Sequence, residues 1–188
     1  LDLPKDYFLG LGRLVKNKNF SLLLDAYAQA ATGIDLVILG QGPEDAALKA
    51  QADALGIRNK VHFAGFVDNP YPVMAHARAL ISASRAEVFP HTLLDAITLG
   101  CPVFATDCPS GPADVLASVP VTGPPWSPTA HGILIAMEDQ NAMAAAITAL
   151  CDDDTQRDFT ERAKLRSEKY GVSEVVDGYL GILLKKET

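Results

Sequence analysis

The segment Ser84-Arg85-Ala86-Glu87-Val88-Phe89-Pro90-His91-Thr92-Leu93-Leu94-Asp95-Ala96 joins a strand-like run to a helical one. Ala79-Leu80-Ile81-Ser82-Ala83 is short and mostly apolar, as a buried strand is. The run from Thr92 to Leu99 has helical character and meets Gly100, a residue suited to the position just past a helix. The loop between them carries one acid, Glu87, and a second, Asp95, follows about one turn inside the helix. In an open α/β sheet such a loop lies at the carboxyl end of its strand, where ligands bind. The first amides of the helix have no intrahelical acceptors and make a seat for phosphate. Acids on both sides of an anion seat suit hydroxyl groups on both sides of a phosphate. A nucleotide sugar has that shape, with a sugar, a diphosphate and a ribose in line.

Outward from this segment the chain alternates strand-like and helical runs. The strand-like ones are Tyr7 to Leu11, Asp35 to Leu39, Val61 to Ala64, Ala79 to Ala83, Pro102 to Ala105 and Gly132 to Ile135. Most are continuous and apolar, the pattern of parallel strands covered on both faces. The helical runs are about Asn19 to Ala31, Pro43 to Leu55, Tyr71 to Ala77, Thr92 to Leu99, Asp139 to Leu150 and Asp152 to about Tyr170. A last one, Ser173 to Leu184, has an apolar stripe through Val176, Tyr179, Leu180 and Leu183. This order predicts a doubly wound, Rossmann-like α/β fold, with a mainly parallel sheet of about six strands and helices on both faces. Val119 to His131, rich in proline and holding Trp126, reads as a surface loop, with a functional flap as the alternative.

Composition narrows the function classes. The 188 residues suit one domain, and 48% hydrophobic content supplies a sizeable core. A net charge of −7 argues against a broad nucleic-acid or anionic-membrane footprint. No apolar run approaches the roughly 18 residues of a membrane-spanning helix. Leu1 is not an initiator Met, so the chain reads as a piece of a longer protein. Cys101, Cys108 and Cys151 form no C-x-x-C pair and read as free thiols in a reducing compartment. No histidine has zinc-ligand spacing, and His91 alone lies in the central loop. Asn19-Phe20-Ser21 matches a glycosylation sequon but falls at a helix start, where chance explains it.

Two further strand ends carry candidate binding groups. Gly10-Leu11-Gly12-Arg13-Leu14 ends the first strand, and Lys18 follows five residues after Arg13. Glycines there let a ligand approach the backbone. Arg13 and Lys18 then project toward the rim that holds Glu87, and a bidentate Arg with a Lys point charge suits a diphosphate. Gly40-Gln41-Gly42-Pro43 follows the second strand; a tight turn explains Gly40, and Gly42 either serves the turn alone or lines a cleft as well. Phe66, after the third strand, is either a nucleobase contact or a core or rim aromatic.

Taken together, Glu87 with Asp95 eight positions on, Gly100-Cys101-Pro102-Val103 and Ala105-Thr106-Asp107-Cys108-Pro109-Ser110-Gly111-Pro112 resemble the signature of retaining glycosyltransferases of family four, which have the GT-B fold. That signature is Glu, seven residues, Glu. Asp95 is one methylene shorter than the usual second acid, and Val88 stands where glycine is common. The resemblance runs from Leu9 to about Leu183 and is to half of an enzyme. It implies that residues 1–188 form the C-terminal, nucleotide-sugar-binding domain, with the N-terminal acceptor domain outside this chain. It implies a donor site of Gly12, Arg13, Lys18, Gly42, Phe66, Glu87, Val88, Phe89, Pro90, His91, Thr92 and Asp95. Within it Glu87 contacts the sugar, Asp95 the ribose, and Arg13 and Lys18 the diphosphate; Glu87, Arg13 and Lys18 carry the chemistry.

The implied activity is transfer of a hexosyl group from a nucleotide-diphosphate sugar, with retention, in polysaccharide or glycoconjugate synthesis. The donor substrate is UDP- or GDP-linked, with no bound cofactor and no metal, since the cations replace one. The acceptor, a glycan, lipid or small molecule, is read by the other domain. The resemblance also implies a cytoplasmic protein and allows peripheral association of the full-length protein with the inner membrane face. The isolated domain is expected to be inactive, and substitution of Glu87 to leave bare diphosphate binding unchanged. A non-catalytic nucleotide-sugar-binding module is the alternative. A nicotinamide-binding domain fits poorly, because the third glycine of its fingerprint and an acid after the second strand are both missing.

Overall fold

In the computed structural model the described residues are 2–116, 126–129 and 131–167. Among them seven strands form one sheet: β1 (Tyr7–Leu11), β2 (Asp35–Leu39), β3 (Val61–Gly65), β4 (Ala79–Ser82), β5 (Val103–Thr106), β6 (Trp126–Pro128) and β7 (Gly132–Ile135). Their order is β3-β2-β1-β4-β5-β7-β6. All the strands from β1 to β5, together with β7, pair in parallel. The helices are α1 (Phe20–Ala30), α2 (Asp45–Ala54), α3 (Tyr71–His76), α4 (His91–Thr98), α5 (Pro112–Val115), α6 (Gln140–Ala149) and α7 (Asp153–Ser167).

The alternation of a strand's side chains divides the core between the two faces of the sheet. Phe8, Leu36, Ile38, Ile81 and Phe104 face one side, where α1, α2 and α6 bury Leu23, Leu24, Tyr27, Leu48, Met143 and Ile147. Leu9, Val37, Leu39, Leu80, Val103 and Ala105 face the other, under α3, α4 and α5 with Met74, Leu93, Ile97 and Val115. Phe159 of α7 meets Phe104 edge-on, ring centroids 5.3 Å apart. The doubly wound α/β architecture is therefore as expected, with helices on both faces.

Several details differ. The segment taken as a surface loop contains β6, which pairs antiparallel with β7 through Trp126↔Ile135 and Pro128↔Ile133. Proline forbids helix there but is tolerated on an edge strand, whose outer N–H positions need no partner. Thr129 closes the hairpin, its amide donating to the Gly132 carbonyl at 2.8 Å. The second helix starts at Asp45, two residues after Pro43: residues 43 and 44 form a turn in which the Asp45 amide bonds Gly42 O at 3.2 Å, while the Glu44 amide, which has no intrahelical acceptor, bonds Leu14 O at 3.1 Å. Asn19 precedes α1 with φ 51° and is 3% exposed, so its sequon is inaccessible. The predicted helix over Ser173 to Leu184, its apolar stripe and the end of the preceding helix near Tyr170 lie outside the described residues. All three cysteines are free; burial pushes the Cys101 thiol up to about 12, which makes it a packing residue rather than a reactive one.

Candidate functional site

The strand order turns back between β1 and β4: the chain moves outward through β2 and β3 on one side, then through β5 on the other. Loops leaving the carboxyl ends of β1 and β4 diverge there, opening a crevice above the sheet. Leu11, the last residue of β1, lines both depressions in that crevice.

The larger depression, about 760 Å³, is lined by Gly12, Arg13, Gly40, Gln41, Gly42, Phe66 and Asp68. Its floor is backbone. The Gly12 amide donates to Leu39 O at 3.0 Å, and the Gly40 amide to Gly65 O at 2.8 Å, stitching three strand ends together. A Cβ on Gly40 would stand 1.8 Å from the Gly12 carbonyl oxygen, and its φ of 142° disfavours any L side chain. At Gly42 a Cβ would come within 2.3 Å of Leu14 O. Gly42 thus serves both the turn and the cleft. The Arg13 guanidinium is exposed, with no hydrogen bond or ion pair among the described residues. Phe66 is 65% exposed on the rim, so it is not a core aromatic.

The smaller depression, about 230 Å³, is lined by Lys18, Ser82, Glu87, Phe89, Pro90, His91 and Thr92. Lys18 ends a 3-10 turn over Lys16–Lys18 and reaches across to the other loop. Its Nζ lies 2.5 Å from Glu87 Oε1, and the Ser84 hydroxyl donates to the same oxygen at 2.7 Å. Ser84 is itself held by Thr106, whose hydroxyl donates to its carbonyl at 2.6 Å. The Lys18 and Glu87 side chains are 27% and 13% exposed, so their attraction is only partly screened by water. Phe89 and His91 meet edge to face, centroids 4.8 Å apart. The α4 amino terminus opens here, and the Thr92 amide has no backbone acceptor among the described residues. Cys108 lies close by; burial first, and then the charge of Glu87, push its thiol up.

The crevice therefore gathers Gly12, Arg13, Gly42 and Phe66 in one depression and Lys18, Glu87, Phe89, Pro90, His91 and Thr92 in the other. Val88 and Asp95 line neither. Val88 is 97% exposed at the loop tip, so its side chain does not fill the space beside Glu87. Asp95 is half-buried one turn along α4 from His91. Sequence reasoning assigned no role to Asp68 or Ser84. Asp68 had no motif to mark it, whereas Ser84, three residues before Glu87, was legible as a hydroxyl at the strand exit. The Glu87 carboxylate holds Lys18, so the two side chains expected to serve sugar and diphosphate separately are coupled.

A chain with this crevice matches the pattern that defines "Glycosyl transferases group 1" over residues 1–166. The chain belongs to that family, and its Rossmann-like sheet is that of GT-B glycosyltransferases. It is 31% identical over 183 residues to N-acetylgalactosamine-N,N'-diacetylbacillosaminyl-diphospho-undecaprenol 4-alpha-N-acetylgalactosaminyltransferase of Campylobacter jejuni, covering 97% of this chain and 47% of that protein. With the lipopolysaccharide core biosynthesis glycosyltransferase LpsE of Rhizobium meliloti it shares 28% over 194 residues, 99% of this chain and 52% of the other. Among solved structures, S. aureus TarM, crystallised with UDP among other ligands, superposes with a TM-score of 0.80 at 20% identity, covering 93% of this chain and 34% of TarM. Anabaena HepE in complex with UDP gives 0.77 at 23%, covering 96% and 49%. The chain spans about half the length of the curated relatives it matches over most of its own length. Among the described residues no helix is long and apolar enough to cross a membrane.

Proposed function

We propose that residues 1–188 are the donor-binding, C-terminal domain of a retaining glycosyltransferase, which moves a hexosyl group from a nucleotide-diphosphate sugar to an acceptor held by a second domain. The observation that carries this reading is the meeting of Lys18 and Glu87 at 2.5 Å across the point where the strand order reverses. One loop brings a cation for phosphate and the other a carboxylate for sugar hydroxyls. Arg13 and Lys18 take the diphosphate, whose negative charge grows as the glycosidic bond breaks, and the Thr92 amide adds a donor. The large depression takes the nucleoside, with Phe66 against the base. Glu87 orients the sugar and balances positive charge developing at its anomeric carbon. His91, Phe89 and Pro90 wall the sugar side, and the leaving phosphate receives the acceptor's proton. Asp95, one turn along α4 from His91, takes the ribose hydroxyls in this reading.

The UDP complexes of TarM and HepE support a uridine diphosphate donor. The relatives named above support an acceptor in glycolipid or polysaccharide synthesis; a cytoplasmic protein acting at the inner membrane face is the location that goes with this reading. Two cations at the diphosphate make a metal unnecessary, so binding is expected to withstand EDTA. Calorimetric titration with UDP, GDP and ADP tests the reading directly. It expects saturable binding of at least one of them, weakened in Lys18→Ala; a folded protein that binds none would overturn it.

A further inference from the structure

The loop that carries Glu87 is also held from outside the cleft. Arg85, two residues before Glu87, forks onto the Glu138 carboxylate, with Nε to Oε1 at 2.6 Å and Nη2 to Oε2 at 3.3 Å. Its Nη1 donates to the Lys16 carbonyl at 2.8 Å. Asn19 Nδ2 donates to the same carboxylate at 3.3 and 3.4 Å. Asn17 closes the arrangement: its side chain donates to Ala86 O, and its carbonyl accepts the Arg85 amide, each at 2.8 Å. Loops leaving β1, β4 and β7 thus converge on one Arg–Glu pair.

Glu138 has φ 55°, and Asn19 has φ 51°. Asparagine tolerates that left-handed region, whereas glutamate is disfavoured there. Such strain persists where surrounding contacts over-determine the backbone, and it concentrates at functional sites. The carboxylate of Glu138 makes two kinds of contact, to Arg85 and to Asn19, and both lead to the cleft-forming loops. The Arg85 hydrogen bonds hold its carboxyl below the usual range, so it is charged at neutral pH. The pair is nevertheless 45% and 50% exposed, and an exposed ion pair adds little to global stability.

We propose that Arg85 and Glu138 form a positioning clamp for the donor cleft, fixing the Lys16–Asn19 turn against the Ser84–Glu87 loop so that Lys18 and Glu87 are preset for the donor. This rests on the donor-cleft reading above. Fixing both loops in advance removes an ordering cost that binding would otherwise carry. Neither residue touches the donor.

The test separates geometry from stability. Glu138→Gly relieves the strained φ and deletes the carboxylate; Glu138→Gln keeps the length and the strain but loses the charge. Arg85→Lys keeps the charge and loses the fork. Each variant of the chain is titrated calorimetrically with UDP beside a thermal melt. Glu138→Gly is expected to melt no lower than the parent yet bind UDP about three- to five-fold more weakly, a factor equivalent to an exposed ion pair. Glu138→Gln should weaken binding in the same direction, and Arg85→Lys by less. Arg85→Ala is measured alone and combined with Glu138→Gly, and the double variant should bind no more weakly than the worse of these two singles. Unchanged UDP binding in Glu138→Gly, additive losses in the double variant, or a weakened affinity accompanied by a lowered melt each overturn the clamp. If the parent chain binds none of UDP, GDP and ADP, the donor-cleft reading fails instead, and the clamp with it.

Discussion

Lys18 and Glu87 neutralise each other before any ligand arrives, which gives each substitution its own signature. A diphosphate must draw Lys18 away from Glu87 and lie close to that carboxylate. Glu87→Gln removes both obstacles, so UDP should bind more tightly, by a factor of about two to five if a partly exposed pair is worth up to about 1 kcal/mol. On the proposed reading the same substitution should reduce sugar transfer by the full-length protein, because the carboxylate assigned to the sugar is gone. Lys18→Ala should weaken UDP binding by about 1.5 to 3 kcal/mol, the range for a hydrogen bond to a charged group. Calorimetry on the two variants gives opposite signs if the pairing matters; a fall in UDP affinity with Glu87→Gln would contradict it. Separately, Gly40→Ala should lower stability by about 3 kcal/mol or more, because its Cβ meets Gly12 O at 1.8 Å and the strand ends must part. Urea unfolding measures that. At this scale much was legible: glycines at strand ends and cations at set spacing are local features. The Lys18–Glu87 contact spans 69 residues and depends on β1 lying beside β4, which no local pattern encodes.

Elements were legible where one local preference dominated. The helical run expected from Asp139 to Leu150 is α6, and Asp139 caps it by accepting the Ala142 amide at 2.8 Å. Gly100 ends α4 with φ 74°, its amide bonding Ile97 O and the Cys101 amide bonding Ala96 O, both at 2.9 Å. Gly100→Ala should therefore cost about 1 kcal/mol, or about 2 to 4 °C in a melt. Where a tertiary partner overrode propensity the sequence misled: β7 recruits the proline-rich segment as β6. Asp35, opening β2, links an element to pH. Burial alone would raise its carboxyl, but hydrogen bonds and charge from Lys60 and His62 outweigh this and hold it below the usual range. A depressed folded value means the stabilisation is complete above the unfolded value, about 3.9, and is lost as pH falls through the folded one. Melts between pH 6 and pH 2 should show a falling Tm below about pH 4. Asp35→Asn should flatten that decline, and an unaltered acid slope in the variant would exclude this source.

At the scale of the whole molecule, the length of the relatives matters most. The chain matches about half of each, and that half holds every group proposed here to touch the diphosphate: Arg13, Lys18 and the Thr92 amide. The chain should therefore bind a nucleoside diphosphate without help from a second domain. It should bind weakly, since the crevice stays open to water and each charged contact is screened. A dissociation constant of roughly 0.1 to 1 mM, near −5 kcal/mol, follows from a few solvent-exposed charged contacts plus one aromatic on a base. Mass action converts this into heat stability: at about 10 mM UDP the folded state gains roughly 1.4 to 2.7 kcal/mol, raising Tm by roughly 3 to 10 °C for a chain of this size. Inorganic phosphate at equal ionic strength controls for general anion stabilisation and should give a much smaller shift, because it cannot fill the nucleoside depression. Phe66→Ala should reduce the UDP shift while leaving the phosphate shift alone. EDTA should change neither. Equal shifts from UDP and phosphate would mean that the large depression does not receive a nucleoside, and the donor assignment would lose its base-binding half while the basic seat at Lys18 remained.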